Sequence, residues 1–231
     1  MIKAAVFDLD HTLFDRYATI RKIITTADSA VLPFKEGIDR EEIVNIFEYC
    51  DRNFVHLGWA RIYDEFLSRG ILKDGIAREN FFTNHIRPIY MLDAVLFPFT
   101  VSVLKELREM GLKVALITNG PHELQYRKLE LLGIEPLFDE IIVGGDTPYP
   151  KPDVRIFADM ANRLNLKPEE MLYIGDNPIN DIEPSRKAGY IPVWIRTTGT
   201  WVYPDIEKPK LQADTVNSIP QIVNKLNERK L

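Results

Sequence analysis

The stretch Lys113-Val114-Ala115-Leu116-Ile117-Thr118-Asn119-Gly120-Pro121 decides the fold. Its apolar residues are consecutive rather than alternating, which marks a strand covered on both faces, and such strands belong to parallel sheets. It runs straight into small hydrogen-bonding residues and then a helix beginning near Pro121. Working outward, Glu140-Ile141-Ile142-Val143, Met171-Leu172-Tyr173-Ile174 and the segment from Tyr190 to Ile195 repeat the pattern. Between them lie helical stripes: Val103, Leu104, Leu107 and Met110, ended by Gly111, and Ile156, Phe157, Met160, Ala161 and Leu164. Trp201 to Pro209 reads as a surface loop, Ala213 to Val216 as a last strand and Ile219 to Leu226 as a closing helix. Strands alternating with helices predict a doubly wound parallel α/β sheet with right-handed crossovers.

Residues 16–95 read differently. They show no convincing strand but several helical stripes, among them Ile43, Ile46, Phe47, Cys50 and Phe54, with Asp39 and Glu42 ahead of it at capping-box spacing. Pro33, Gly37, Gly58, Gly70 and Gly75 fall where helices would break. The expected organisation is an α/β core of residues 1–15 and 96–231, interrupted by an all-helical insertion, 16–95.

Composition narrows the function. The 231 residues are 45% hydrophobic and 27% charged, which suits a globular chain. A net charge of -5 disfavours a nucleic acid polymer as partner, although a small phosphorylated metabolite needs only one local positive pocket. One cysteine, Cys50, excludes an intrachain disulfide and a thiolate metal cluster. No apolar stretch approaches the roughly 18 residues of a membrane span. With no signal-peptide layout after Met1, the expectation is a soluble cytoplasmic protein that uses no membrane. The sequence does not indicate an oligomeric state.

Four polar segments follow the strands, and ligands of open α/β sheets bind at those carboxyl ends. In Phe7-Asp8-Leu9-Asp10-His11-Thr12, two carboxylates two positions apart in extended chain would point the same way, roughly 6–7 Å apart. They repel unless a cation is shared or one takes a proton, which suits a nucleophile beside an acid/base. Thr118-Asn119-Gly120, ahead of a helix N-terminus, suits an anion, or simply caps that helix. Lys151, held between Pro150 and Pro152, is either a stiffly aimed cation or a solvated turn lysine, with Asp153 as the next helix cap. In Gly175-Asp176-Asn177-Pro178-Ile179-Asn180-Asp181, the two aspartates suit a hard cation, or serve as a turn residue and an N-cap. Singly each segment is ordinary. Together they supply carboxylates for a metal, hydroxyl and amide groups for phosphate oxygens, and one lysine for charge, the set that phosphoryl transfer requires.

The order Asp-x-Asp-x-Thr, Thr-Asn-Gly, Lys-Pro and Gly-Asp-x-x-x-x-Asp resembles the haloacid dehalogenase superfamily across essentially the whole chain, with the helical insertion as its small α-helical cap. The resemblance implies a Rossmann-like core and a Mg²⁺-dependent phosphatase acting on a small phosphate monoester, a nucleotide or sugar phosphate. It implies that Asp8 attacks phosphorus and that Asp10 serves as general acid and base. Asp8, the Asp10 carbonyl and Asp176 would hold Mg²⁺, and Thr118, Asn119 and Lys151 would bind phosphate. Asp181 and Thr12 would support that inner set, Asp181 by orienting Lys151 or as a weaker ligand. Thr118-Asn119-Gly120, Gly175-Asp176-Asn177 and Trp194 look most like the N-acylneuraminate-9-phosphatase and pyrimidine 5′-nucleotidase branch. A β-phosphoglucomutase-like phosphomutase, a 2-haloacid dehalogenase and a non-enzymatic phospho-accepting signalling or binding module remain as alternatives. The resemblance also implies a cap that closes over the site and sets specificity. Within it, Arg16, Tyr17, Arg21 and Lys22 are placed for a substrate's polar end but read more simply as a solvated face. Asn53, His56, Trp59 and Tyr63 read as a pocket lining or, more simply, as the insertion's own core; His11 is not assigned a catalytic role.

Overall fold

The computed structural model describes residues 1–54, 58–199 and 201–228. In chain order the elements are β1 Ala4–Phe7, α1 Arg16–Thr26, α2 Arg40–Phe54, α3 Gly58–Ser68, α4 Arg87–Tyr90, α5 Thr100–Glu109, β2 Lys113–Thr118, α6 His122–Leu132, β3 Glu140–Val143, α7 Val154–Leu164, β4 Met171–Gly175, α8 Glu183–Lys187, β5 Ile191–Ile195, β6 Leu211–Ala213 and α9 Ile219–Glu228. The strands form one six-stranded parallel sheet in the order β3-β2-β1-β4-β5-β6. The chain steps from β1 outward to β3 and then returns to lay β4 against the other side of β1. β1 therefore stands where the strand order reverses, the place at which doubly wound sheets open a ligand crevice.

Burial explains the consecutive apolar runs. Ala4 and Val6 of β1, Ala115 and Ile117 of β2, Ile142 of β3 and Met171 and Tyr173 of β4 cluster with Ile156, Phe157, Met160 and Ala161 of α7. The alternate positions Ala5, Phe7, Val114, Leu116, Leu172 and Ile174 are fully buried as well, so neither face of these strands meets water. Tyr173 and Tyr190 meet Phe157 edge-on, with ring centroids 4.9 and 5.9 Å away, and the Tyr190 hydroxyl donates to the Phe157 carbonyl at 2.7 Å.

The expected strand over Ala213 to Val216 is displaced to Leu211–Ala213. The Thr215 hydroxyl accepts from the Asn217 N–H and starts a 3₁₀ turn at Val216–Ser218, so a local side-chain bond ends the extended segment early.

By contacts the chain divides into two compact units, Met1–Asp15 with Leu96–Leu231, and Arg16–Val95. The second is helical. α1 buries Tyr17, Ile20, Ile23 and Ile24, and α2 buries Ile43, Ile46, Phe47 and Cys50. Asp39 accepts from the Glu41 N–H at 3.0 Å and starts α2. Phe54, expected on the buried stripe, is only half-buried and lies under the Arg61 guanidinium at 4.7 Å. Arg16 and Tyr17 depart from the solvated reading: Arg16 pairs with buried Asp51 at 2.9 Å and lies over the Phe47 and Trp59 rings, and Tyr17 is buried. Arg21 and Lys22 are surface ion-pairing residues, to Glu41 and Asp93. Trp59 stacks on Phe82, Tyr63 is buried against Phe81, and exposed Asn53 donates to the Tyr49 carbonyl. His56 lies outside the described residues. Among the described residues no helix is long and apolar enough to cross a membrane.

Candidate active site

Three adjacent strands, β2, β1 and β4, end close together, with β2 running on to Thr118 and β4 to Gly175 beyond the level of Phe7. Phe7 pairs with Leu116 on one side and Ile174 on the other, and the Asp8 N–H donates to the Ile174 carbonyl at 2.9 Å. This places Asp8, buried at 6% exposure, at the centre of the carboxyl edge.

After Asp8 the backbone leaves the sheet. The N–H groups of Thr12, Leu13 and Phe14 all donate to the Leu9 carbonyl, and His11 turns through a φ of 63°. The chain thus folds into a tight turn directly after Asp10, and Asp10 stays close enough to Asp8 to repel its charge. Each carboxylate has its own lysine. Lys151 Nζ donates to Asp8 Oδ1 at 2.6 Å, while Lys128 Nζ donates to both oxygens of Asp10, at 2.7 and 2.8 Å.

Lys151 is no solvated turn lysine. Its side chain is 2% exposed, and it reaches Asp181 Oδ1 at 2.6 Å and the Tyr173 hydroxyl at 3.1 Å besides Asp8. Its backbone is clamped by Asn119, whose side-chain amide donates to the Lys151 carbonyl at 2.7 Å and accepts from the Lys151 N–H at 3.0 Å. One N–H of that amide is thus taken, and a phosphate contact from Asn119 would come from its second side-chain N–H or from its main-chain N–H. The capping role for Thr118 and Asn119 does not hold: Pro121 is the N-cap of α6 and no side chain caps it. Asp153 does cap α7, accepting from the Arg155 N–H at 2.9 Å.

The segment after β4 wraps around a carboxylate. Asn177 caps a π-helical turn, Pro178–Ile182, by accepting from Ile179 and Asn180, and its own N–H donates to Asp181 Oδ2 at 3.0 Å. Asp181 is thus no N-cap but a buried, fully engaged anchor for Lys151, at 1% exposure. The Trp194 indole on β5 donates to the Asp176 carbonyl at 2.8 Å and fixes the start of this segment. Thr12 Oγ1 is buried and has no hydrogen-bond partner among the described residues.

Ligand oxygens of Asp8, Asp176 and Asp181, all buried, lie within 4.8 Å of one another. Burial pushes the Asp8 carboxyl up to about 7, against the pull of Lys151, with Asp181 and Asp10 adding to the rise. Burial works against the Lys151 ammonium too, but Asp181 and Asp8 outweigh it and hold that charge well above the ordinary lysine range. Gathering three buried carboxylates around the single charge of Lys151 leaves mutual repulsion, which is costly in a low-dielectric site. An oxygen-liganded divalent cation relieves it, so the donor set fits Mg²⁺, with Asp8 and Asp176 as side-chain ligands.

The structure therefore brings Asp8, Lys151, Asp176 and Asp181 together and places Asp10 with a partner of its own. Lys128, Gln125 and Tyr173 are the residues that sequence reasoning passed over. The buried face of α6 is Leu124, Gln125, Lys128 and Leu129, so a glutamine and a lysine interrupt its apolar stripe, and that break in the pattern was the available signal. Tyr173 carried none, because a tyrosine in a buried strand is an ordinary core residue.

Residues 2–189 match the family model described as haloacid dehalogenase-like hydrolase. The chain is 30% identical over 226 residues, 97% of its length and 96% of the relative's, to a glyceraldehyde 3-phosphate phosphatase of Methanocaldococcus jannaschii. It is 24% identical over 244 aligned positions, 98% of its length and 95% of the relative's, to the N-acylneuraminate-9-phosphatase of Mus musculus. Among solved structures it shares its fold, at a TM-score of 0.71 and 20% identity, with the HAD-hydrolase YfnB of Bacillus subtilis, solved bound to magnesium; the match covers 96% of this chain and 99% of that one.

Proposed function

Because the chain belongs to the haloacid dehalogenase-like hydrolases, we propose that it is a Mg²⁺-dependent phosphatase that hydrolyses a small phosphate monoester through a phosphorylated Asp8. The observation that carries this reading is the buried grip of Lys151 on Asp8 and Asp181 at the reversal point of the sheet, beside Asp176.

A carboxylate oxygen of Asp8 attacks phosphorus, and the bond from phosphorus to the ester oxygen breaks. Asp10 gives the departing oxygen its proton, then takes a proton from the water that attacks the aspartyl-phosphate, releasing orthophosphate and restoring Asp8. Lys151, Thr118 and Asn119 neutralise and orient the phosphoryl oxygens. Asp181 and Tyr173 keep Lys151 aimed at Asp8. Asp8, Asp176 and the Asp10 carbonyl would hold Mg²⁺, which supplies positive charge to the phosphoryl group. The helical unit Arg16–Val95, which follows Asp15 directly, carries substrate selection.

The names of the relatives supply the first two substrates to try, and the sequence resemblance to pyrimidine 5′-nucleotidases supplies the third. With Mg²⁺, purified protein should release orthophosphate from glyceraldehyde 3-phosphate, an N-acylneuraminate 9-phosphate or a nucleoside monophosphate. Asp8→Asn should lower that turnover on the order of 10³-fold or more while the circular dichroism stays native. No phosphate release across such a panel would sink the assignment, and isomerisation of a sugar phosphate without net release would move it to a phosphomutase.

A further inference from the structure

Helix α6 buries two polar side chains, three residues apart, and each is tied to a different segment of the site. Gln125 Nε2 donates to the Asn119 carbonyl at 2.6 Å. Lys128 holds Asp10 by both oxygens, with its own side chain 4% exposed and its Nζ 4.7 Å from the Phe14 ring centroid. Phe14 belongs to the same tight segment as Asp10, so the ammonium meets that segment at both side chains. A lysine kept only for solubility would lie on the exposed face of α6, since burying an ammonium is unfavourable unless a charged partner meets it. Here it meets that partner in two contacts, and a carboxylate bound through both oxygens loses its freedom to turn about the Cβ–Cγ bond.

We propose that Lys128 is a positioning residue for Asp10, fixing the carboxylate that moves the proton in both half-reactions. The proposal rests on the reading of Asp10 as general acid and base. Its consequence is selective: loss of Lys128 slows steps in which a proton passes through Asp10 and leaves phosphate binding and Asp8 attack in place. Lys151 cannot substitute, being enclosed by Asp8, Asp181 and Tyr173.

Leaving-group chemistry separates these effects. An alkyl phosphate needs its departing oxygen protonated; p-nitrophenyl phosphate does not. With Mg²⁺ and an alkyl phosphate, Lys128→Met should lower kcat about 30-fold or more while KM stays within about threefold. With p-nitrophenyl phosphate, the pre-steady-state burst that reports Asp8 phosphorylation should stay within about threefold of the parent rate. Lys128→Arg should recover part of the alkyl phosphate rate, and in an Asp10→Asn background Lys128→Met should have no further effect. If Lys128→Met does not fold by circular dichroism, the same comparison is read on Lys128→Gln. An unchanged alkyl phosphate kcat, an equal loss in the p-nitrophenyl phosphate burst, or full additivity with Asp10→Asn would overturn the proposal. If Asp10→Asn alone left alkyl phosphate turnover intact, the acid/base assignment would itself fall. A slow Asp10→Asn beside a silent Lys128→Met would remove only the role of Lys128.

Discussion

Gly175 ends β4 against the Asp181 carboxylate, and the space beside it is already occupied. A Cβ built there would lie 2.6 Å from the Asp181 Cβ, Cγ and Oδ2 atoms. Those atoms belong to a short, braced side chain, bound to Lys151 on one oxygen and the Asn177 N–H on the other. Gly175→Ala must therefore displace Asp181, loosening Lys151 from Asp8 and disturbing the three-carboxylate cluster. Affinity for Mg²⁺, measured by titration calorimetry, should fall about 10- to 100-fold with the fold retained. An unchanged affinity would mean that Asp181 does not govern the cation site. The glycine and both aspartates are visible in the sequence, and so is their spacing. Their contact is not, because it depends on the π-helical turn that folds Asp181 back toward the strand end.

Helix α7 shows what periodicity reports well. Ile156, Phe157, Met160 and Ala161 lie on one face, and all four enter the sheet core. Phe157 is fully buried between Tyr173 and Tyr190, and Tyr173 carries the hydroxyl that touches Lys151. Phe157→Ala should cost about 3–5 kcal/mol, lowering the thermal midpoint on the order of 10 °C. A drop of one or two degrees in calorimetry would show that the neighbouring rings close the cavity. Helix α6 is the opposite case. Half of its buried face is polar, so its stripe reads weakly, and nothing local announces that Gln125 and Lys128 face inward rather than outward. Lysine is almost never fully buried unless paired, and the partner that reverses this preference is far away in the chain.

At the scale of the whole molecule, the carboxylates that could hold a cation belong to one unit. Asp8, Asp176 and Asp181 all lie in the unit formed by Met1–Asp15 and Leu96–Leu231, and none lies in Arg16–Val95. Mg²⁺ at about 100 times its dissociation constant should add about 2.7 kcal/mol to the α/β unit alone. Scanning calorimetry should show that unit's transition rising by several degrees, with no shift in Asp176→Asn. A Mg²⁺-induced rise that persists in Asp176→Asn would place the cation elsewhere. The sequence by itself determines the alternation of strands and helices, the helical character of residues 16–95 and the polar segments that follow the strands. These are local properties, set by period, by small turn residues and by burial on two faces. Which lysine neutralises which carboxylate is decided only by the tertiary structure. Lys151 meets Asp8 across 143 positions and Lys128 meets Asp10 across 118, through a strand order that brings β4 back beside β1 and a tight turn that follows Asp10. Such pairings follow from how a buried charge finds its counter-ion once the sheet has closed, and no spacing along the chain records them.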